Sequence, residues 1–119
     1  MTDPVEGYIC FYTDHIAEEF VSIDEARYMS LEQILAVLQG GVLGYPRNLL
    51  GIIDEKGNSL QFFVQPDGEI ELNLSVPEEF GSYTRQIEQF ECYTLLKKGC
   101  RYIEHMPVGK VEFSGWWIE

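Results

Sequence analysis

Residues 49–76 read LLGIIDEKGNSLQFFVQPDGEIELNLSV, and within them residues 69–76 alternate without a break. Ile70, Leu72, Leu74 and Val76 fall on one face, and Glu69, Glu71, Asn73 and Ser75 on the other. A period of two with one apolar and one polar side is the pattern of a strand buried on one face only. Just ahead of it, Gln65-Pro66-Asp67-Gly68 supplies a proline that presets φ, an aspartate that bonds back to the turn, and a glycine for a positive φ. Leu60, Phe62 and Val64 share one face of the preceding segment, and Asp54-Glu55-Lys56-Gly57-Asn58 turns the chain back to Leu49-Leu50-Gly51-Ile52-Ile53. The stretch predicts a three-stranded antiparallel meander.

On the N-terminal side, Ser30-Leu31-Glu32-Gln33 is a capping-box sequence, with Met29 and Ile34 where a hydrophobic staple would place them. Leu31, Ile34, Leu35 and Leu38 form one apolar stripe, and Gly40-Gly41 end the helix. Tyr8-Ile9-Cys10-Phe11-Tyr12 has strand composition, and Phe20-Val21-Ser22-Ile23 a second such run. Residues 13–19 then connect the two strands, or residues 14–21 form a helix on the spacing of Ile16, Ala17 and Phe20. Residues 42–48, with Gly44-Tyr45-Pro46, read as a loop that presents Tyr45.

On the C-terminal side, residues 77–82 read as a loop. Ile87, Glu91 and Leu95, with Cys92 and Leu96 beside them, favour a helix from about Ser82 or Arg85, closed by Lys97, Lys98 and Gly99. The competing reading is a strand over 83–90, carried by Tyr83, Thr84 and Ile87. Residues 101–109 connect to a final strand with Val111, Phe113 and Trp117, which Gly115 can bulge. The expected architecture is a single α+β domain over residues 1–119. It has an antiparallel sheet of about five or six strands and two helices packed on one face.

The chain has 119 residues, 20 acidic against 8 basic, for a formal charge of -12. This imbalance argues against direct nucleic-acid binding and against an anionic membrane surface, both of which need a basic footprint. It suits a basic protein partner, whose approach the field would accelerate. No apolar run reaches the roughly 20 residues of a membrane helix, and Met-Thr-Asp-Pro-Val-Glu lacks the regions of a signal peptide, so a cytoplasmic location is expected. Cys10, Cys92 and Cys100 cannot all pair within the chain and are expected as free thiols.

Sites for chemistry are sparse. His15 and Glu18 would share a helical face, but two ligands do not hold a zinc ion. Cys100 and His105 are five residues apart without the context that lowers a thiol pKa. The carboxylate pairs Glu18/Glu19, Asp24/Glu25, Glu69/Glu71 and Glu78/Glu79 fall at positions expected to face water, and no nucleotide, hydrolase or zinc-protease motif occurs. No catalytic residue, metal or cofactor is therefore assigned. Trp116 and Trp117 are adjacent, so on a strand they point to opposite faces, and an exposed tryptophan among acids suits a protein interface. The candidate partner-binding residues are Trp116, Trp117, Tyr45, Glu69, Glu71, Glu78 and Glu79.

From Ser30 onward the chain resembles small immunity proteins of bacterial polymorphic toxin systems. The resemblance is carried by a capped helix ending in Leu-x-Gly-Gly (residues 38–41), a hairpin with Gly57 in its turn, and the Asp67-Gly68 turn before an alternating strand. A helix ending in Lys-Lys-Gly and a C-terminal tryptophan strand complete it. The resemblance implies a non-enzymatic inhibitor that covers the active site of a cognate toxin, often a basic nuclease. Two other classes stay open on the residues alone. One is a ligand-binding or enzymatic domain, which needs a pocket between sheet and helices with Cys100, Tyr102 or His105 converging on it. The other is a DNA mimic, which needs carboxylates at phosphate-like spacing along one face.

Overall fold

A computed structural model of the chain describes residues 5–116. Its strands and helices run β1 (Gly7–Asp14), β2 (Glu19–Val21), β3 (Arg27–Ser30), α1 (Leu31–Gln39), β4 (Leu49–Ile53), β5 (Ser59–Val64), β6 (Ile70–Val76), β7 (Gly81–Ile87), α2 (Gln89–Lys98) and β8 (Glu112–Gly115). The fold is α+β, with an open sheet of 8 strands in the order β2-β1-β4-β5-β6-β7-β8. β3 also lies against β1, and every pairing is antiparallel.

The meander over 49–76 is β4-β5-β6. Its two turns use the residues that turn chemistry requires: Asp54 Oδ1 accepts the amide of Lys56 at 2.9 Å, and Asp67 Oδ1 that of Glu69 at 2.9 Å. Gly57 and Gly68 take φ values of 84° and 90°. The capping box of α1 is formed in both directions, Ser30 Oγ accepting from Gln33 N–H at 3.1 Å and Gln33 Oε1 from Ser30 N–H at 2.9 Å. Met29 and Ile34 are buried in one core cluster, and Gly41 ends the helix region with φ 99°.

The sheet is larger than the five or six strands expected, because two segments were hidden. β3 is short and runs straight into the cap of α1, so it has no alternation of its own to display. β7 overturns the favoured helix start at Ser82 or Arg85 and agrees over 83–87 with the competing strand reading of 83–90. There the side chains alternate, with Tyr83, Arg85 and Ile87 opposite inward-facing Leu74, Leu72 and Ile70. Arg85 disguises that alternation, and the spacing of Ile87, Glu91 and Leu95 spans a strand–helix junction at Glu88. The helix begins only at Gln89. Near the N-terminus the two-strand reading holds, and the helix alternative over 14–21 fails: residues 15–18 form a turn between β1 and β2.

One face of the sheet is sealed. Cys10, Leu50, Ile52, Leu60, Phe62 and Leu72 are fully buried, together with Ile34 of α1 and Cys92 and Leu96 of α2. Burial of each such large side chain contributes about 1.5 to 3 kcal/mol. Residues 99–110 also serve as a cover, beyond connecting α2 to β8. Ile103, Met106 and Val108 enter the same core, and the strap is pinned by Ile103 N–H to Asp54 Oδ2 at 2.8 Å and by Arg85 Nε to the Val108 carbonyl at 2.5 Å. Cys100 N–H donates to the Tyr8 hydroxyl at 2.6 Å.

The opposite, outer face carries no helix. Its β1–β4 side holds Ile9, Phe11, Leu49, Ile53 and Phe63, with Phe20 and Tyr28 from β2 and β3, and its β5–β8 side holds Gln61, Asn73, Ser75, Ser82 and Thr84. Phe11 is buried although it points outward, because its ring lies over Gly51. A Cβ at residue 51 would stand 2.2 Å from Phe11 Cζ. Gly51→Ala should therefore destabilise the fold by about 1 to 3 kcal/mol, since the ring must leave its buried seat and that loss outweighs the entropy gained from losing a glycine. Urea unfolding checks this by a lower midpoint at unchanged slope, and an unchanged or higher midpoint would contradict it.

Candidate functional site

Carboxylates stand at both ends of the sheet, Glu6, Asp54, Glu55, Glu78, Glu79 and Glu104 at one and a second group at the other. The β1–β2 turn brings Asp14, Glu18 and Glu19 there, the β5–β6 turn brings Asp67, Glu69 and Glu71, and Glu88 stands between β7 and α2. Asn48 sets the geometry of this end. It is fully buried, its amide nitrogen donating to Asp14 Oδ1 at 3.1 Å and its amide oxygen accepting His15 N–H at 2.9 Å. Its backbone joins the same assembly, N–H to the Tyr45 carbonyl at 3.2 Å and carbonyl to Val64 N–H at 2.9 Å. One residue thus ties the acidic β1–β2 turn, through its side chain, to the loop carrying Tyr45 and the end of β5, through its backbone. Asp14 Oδ1 also accepts the amides of Ile16 and Ala17, which tightens the turn and leaves Glu18 and Glu19 exposed.

The described residues contain three ion pairs: Lys56–Glu104 at 2.7 Å, Arg85–Glu91 at 3.0 Å and Arg101–Glu55 at 3.2 Å. The Lys56 ammonium holds the Glu104 carboxyl below the usual range, and the Arg85 guanidinium does the same for Glu91. None of the three includes an acid of this end, although Arg85 and Lys110 line a small cavity with Glu71, the Arg85–Glu91 pair adjoins Glu88, and Arg47 lies in the Tyr45 loop. Exposed apolar groups stand among these acids: Tyr45 at 46 %, Phe20 at 58 % and Ile16 at 66 %.

The candidate partner-binding residues separate into two groups. Tyr45, Glu69 and Glu71 belong to the acidic end. Trp116, Glu78 and Glu79 meet at the other end of β6, about 20 Å away by strand length. Trp116 is half exposed; its backbone N–H donates to the Phe80 carbonyl at 2.7 Å and its indole N–H to Ser82 Oγ at 2.9 Å. Glu79 accepts a hydrogen bond from the Tyr83 hydroxyl. Trp117 lies outside the described residues. The residues alone did not mark Asp14, Glu18, Glu19, Asp67, Glu88 or the organising Asn48. The available signal was acids flanking two separate turns, which become one patch only when β1 pairs with β4.

The groups weighed for chemistry are dispersed. His15 packs its ring edge on Phe20 at 5.6 Å, away from any second ligand, and the described residues contain no group of three His, Cys, Asp or Glu placed to hold a metal ion. The Cys100 thiol donates to the Tyr102 carbonyl at 3.2 Å, while His105 stacks edge-on against the Tyr102 ring, so no hydrogen bond joins Cys100 to His105. A groove of about 500 Å³ opens beside Tyr28, Ile9 and Ile53 at the β3–β1–β4 edge, and Tyr102 and His105 take no part in it. No described helix is long and apolar enough to cross a membrane. No family model matches the chain, and no curated protein or solved structure matches it.

Two outcomes follow. Asn48→Ala should cost about 1 to 3 kcal/mol, because it removes both hydrogen bonds that a buried amide makes to the β1–β2 turn, and amide exchange in that turn should quicken; an unchanged urea midpoint would contradict the role given to Asn48. Burial pushes the thiols of Cys10 and Cys92 from an ordinary 9.0 up to about 12. Both should resist a disulfide reagent at pH 8 until the chain unfolds. The unfolded thiols ionise first, so their contribution to stability is complete below about pH 9 and lost as pH rises toward 12. Rapid modification of either in the folded chain would contradict this.

Proposed function

We propose that the chain is a non-enzymatic, acidic protein-binding module, an inhibitor of the immunity type whose cognate toxin is a basic protein. The observation that carries this reading is the acidic end, where Asp14, Glu18, Glu19, Asp67, Glu69, Glu71 and Glu88 converge with no ion pair among the described residues. Packing carboxylates together raises the free energy of the isolated chain slightly and is relieved when cations arrive. A concentrated patch therefore favours a basic surface both in affinity and in rate of encounter. The Debye length of about 8 Å at physiological salt is comparable to the spacing within such a patch, so its members act jointly on an approaching partner.

Exposed Tyr45, Phe20 and Ile16 add apolar anchors beside the charges, the combination that gives an interface both steering and residence time. The resemblance over residues 30–119 to immunity proteins of polymorphic toxin systems supports the same conclusion. Trp116 with Glu78 and Glu79 forms a second contact region on this reading, reached by a partner broad enough to span the sheet.

The test is capture from extracts of the cell that encodes the chain, followed by kinetics on the captured protein. The expected partner has a pI above about 9, and its association slows by about tenfold or more between roughly 0.05 M and 0.5 M salt. Glu18→Lys with Glu69→Lys, both exposed and remote from the core, should slow association and leave the thermal midpoint unchanged. Capture of an acidic partner alone, or of a basic one indifferent to both lysines, would contradict the proposal.

A further inference from the structure

The outer face of the sheet is chemically unlike the rest of this chain. The protein has a formal charge of -12 and 24 % charged residues, yet among the described residues Glu71 and Glu112 are the only charged ones at outward-facing paired positions of the sheet. The β1–β4 side of that face is apolar, with Ile9, Phe20 and Tyr28 at 39 %, 58 % and 58 % exposure. Two rings lie down over glycines: Phe11 over Gly51, and Tyr28 over Gly7, where a Cβ would stand 2.7 Å from the Tyr28 ring. The glycines let the rings sit low, so a second sheet can approach the middle of the face to about 10 Å, while the groove bordered by Glu6, Asp54, Glu55 and Arg101 opens at its β3–β1–β4 edge.

Electrostatics selects the occupant. A basic partner gains little from a face almost without carboxylates and is drawn to the acidic end instead. A partner with the same large negative charge is repelled by most of the surface and can approach closely only where charge is missing. A second copy of this chain is such a partner. Six inter-strand gaps of roughly 4.8 Å and strands of about 20 Å give a face of roughly 30 Å by 20 Å, on the order of the 800 Å² per partner that standard interfaces bury.

We propose that two copies of the chain pack outer face against outer face across a two-fold axis. The apolar β1–β4 side supplies the contact, and the uncharged Ser, Thr, Asn and Gln side chains of β5–β7 the neutral margin. The acidic ends stay at the rim, so the dimer stands independently of the basic partner and presents two copies of the acidic end. Its salt dependence has the opposite sign: screening removes the repulsion between two strongly negative bodies, so self-association tightens as salt rises, whereas binding of a basic protein weakens.

Sedimentation equilibrium of the full chain, without any partner, tests this at low and high salt. The expected result is a concentration-dependent dimer whose dissociation constant falls by about threefold or more from roughly 0.05 M to 0.5 M salt. Ile9→Glu should give a monomer, and the nearly isosteric Gln61→Glu, at the centre of the face, should weaken the dimer at least about tenfold with its thermal midpoint retained. Ala36→Glu adds the same charge on exposed α1 and should leave the dimer in place. A wild-type chain that stays monomeric up to roughly 0.5 mM overturns the proposal. So does a dimer that dissociates with salt or ignores both face variants. If the wild-type chain is monomeric and Ile9→Glu instead abolishes capture of a basic protein, the face belongs to that protein and the dimer is excluded.

Discussion

Leu50, Ile52, Leu60, Phe62 and Leu72 have no exposed surface, and their burial under α1, α2 and the 99–110 strap is the constraint from which the other features follow. An antiparallel sheet needs cover on one face only. Once the inner face is sealed, every side chain at an alternate position is fixed outward, and its polarity becomes free to serve something other than folding. The strap completes this division. It holds Ile103, Met106 and Val108 in the core while its polar groups are tied to Asp54, Tyr8 and Arg85, so no backbone group is buried without a partner at those joins.

The same division sorts the charge. Inner positions exclude carboxylates, and the outer face is largely neutral, so the acids concentrate in the turns and the ends of elements. Turn chemistry draws Asp14, Asp54 and Asp67 to those places for local hydrogen bonds, while Glu19 accepts from the Tyr12 hydroxyl and Glu88 caps α2. At the Asp54 end, Lys56 and Arg101 neutralise Glu104 and Glu55. At the Asp14 end no ion pair to its acids forms among the described residues, although Arg47, Arg85 and Lys110 stand nearby, and Asn48, a neutral amide, holds the turns together. The molecule is electrostatically lopsided for reasons visible residue by residue.

Much of this was legible in the sequence where local signals agreed. The unbroken alternation of residues 69–76, the Asp-Gly turn and the Ser30/Gln33 box each rest on interactions between near neighbours, which a sequence displays directly. β7 was legible only as the competing strand over 83–90, because Arg85 occupies an inward position and its guanidinium is held by the Val108 and Gln86 carbonyls and by Glu91. β3 was hidden because a four-residue strand has too few positions to show a period. The candidate interface was half legible: Glu69, Glu71 and Tyr45 were marked one by one. Their union with Asp14, Glu18 and Glu19 depends on the β1–β4 pairing and on Asn48, contacts that join residues more than thirty apart in sequence. The neutrality of the outer face was invisible for a similar reason, since it belongs to positions drawn from all eight strands at once.

Negative charge available to a partner is densest at the Asp14–Glu69 end, with Glu78 and Glu79 a smaller group at the opposite end, and is withheld from the outer face. Backbone NMR titration with a short oligolysine peptide at low salt measures this directly. Amides of residues 14–19, 65–71 and 88 should shift and return on adding salt, while those of Ile9, Gly51, Gln61 and Asn73 stay in place. Shifts spread evenly over the surface, or centred on the outer face, would contradict it.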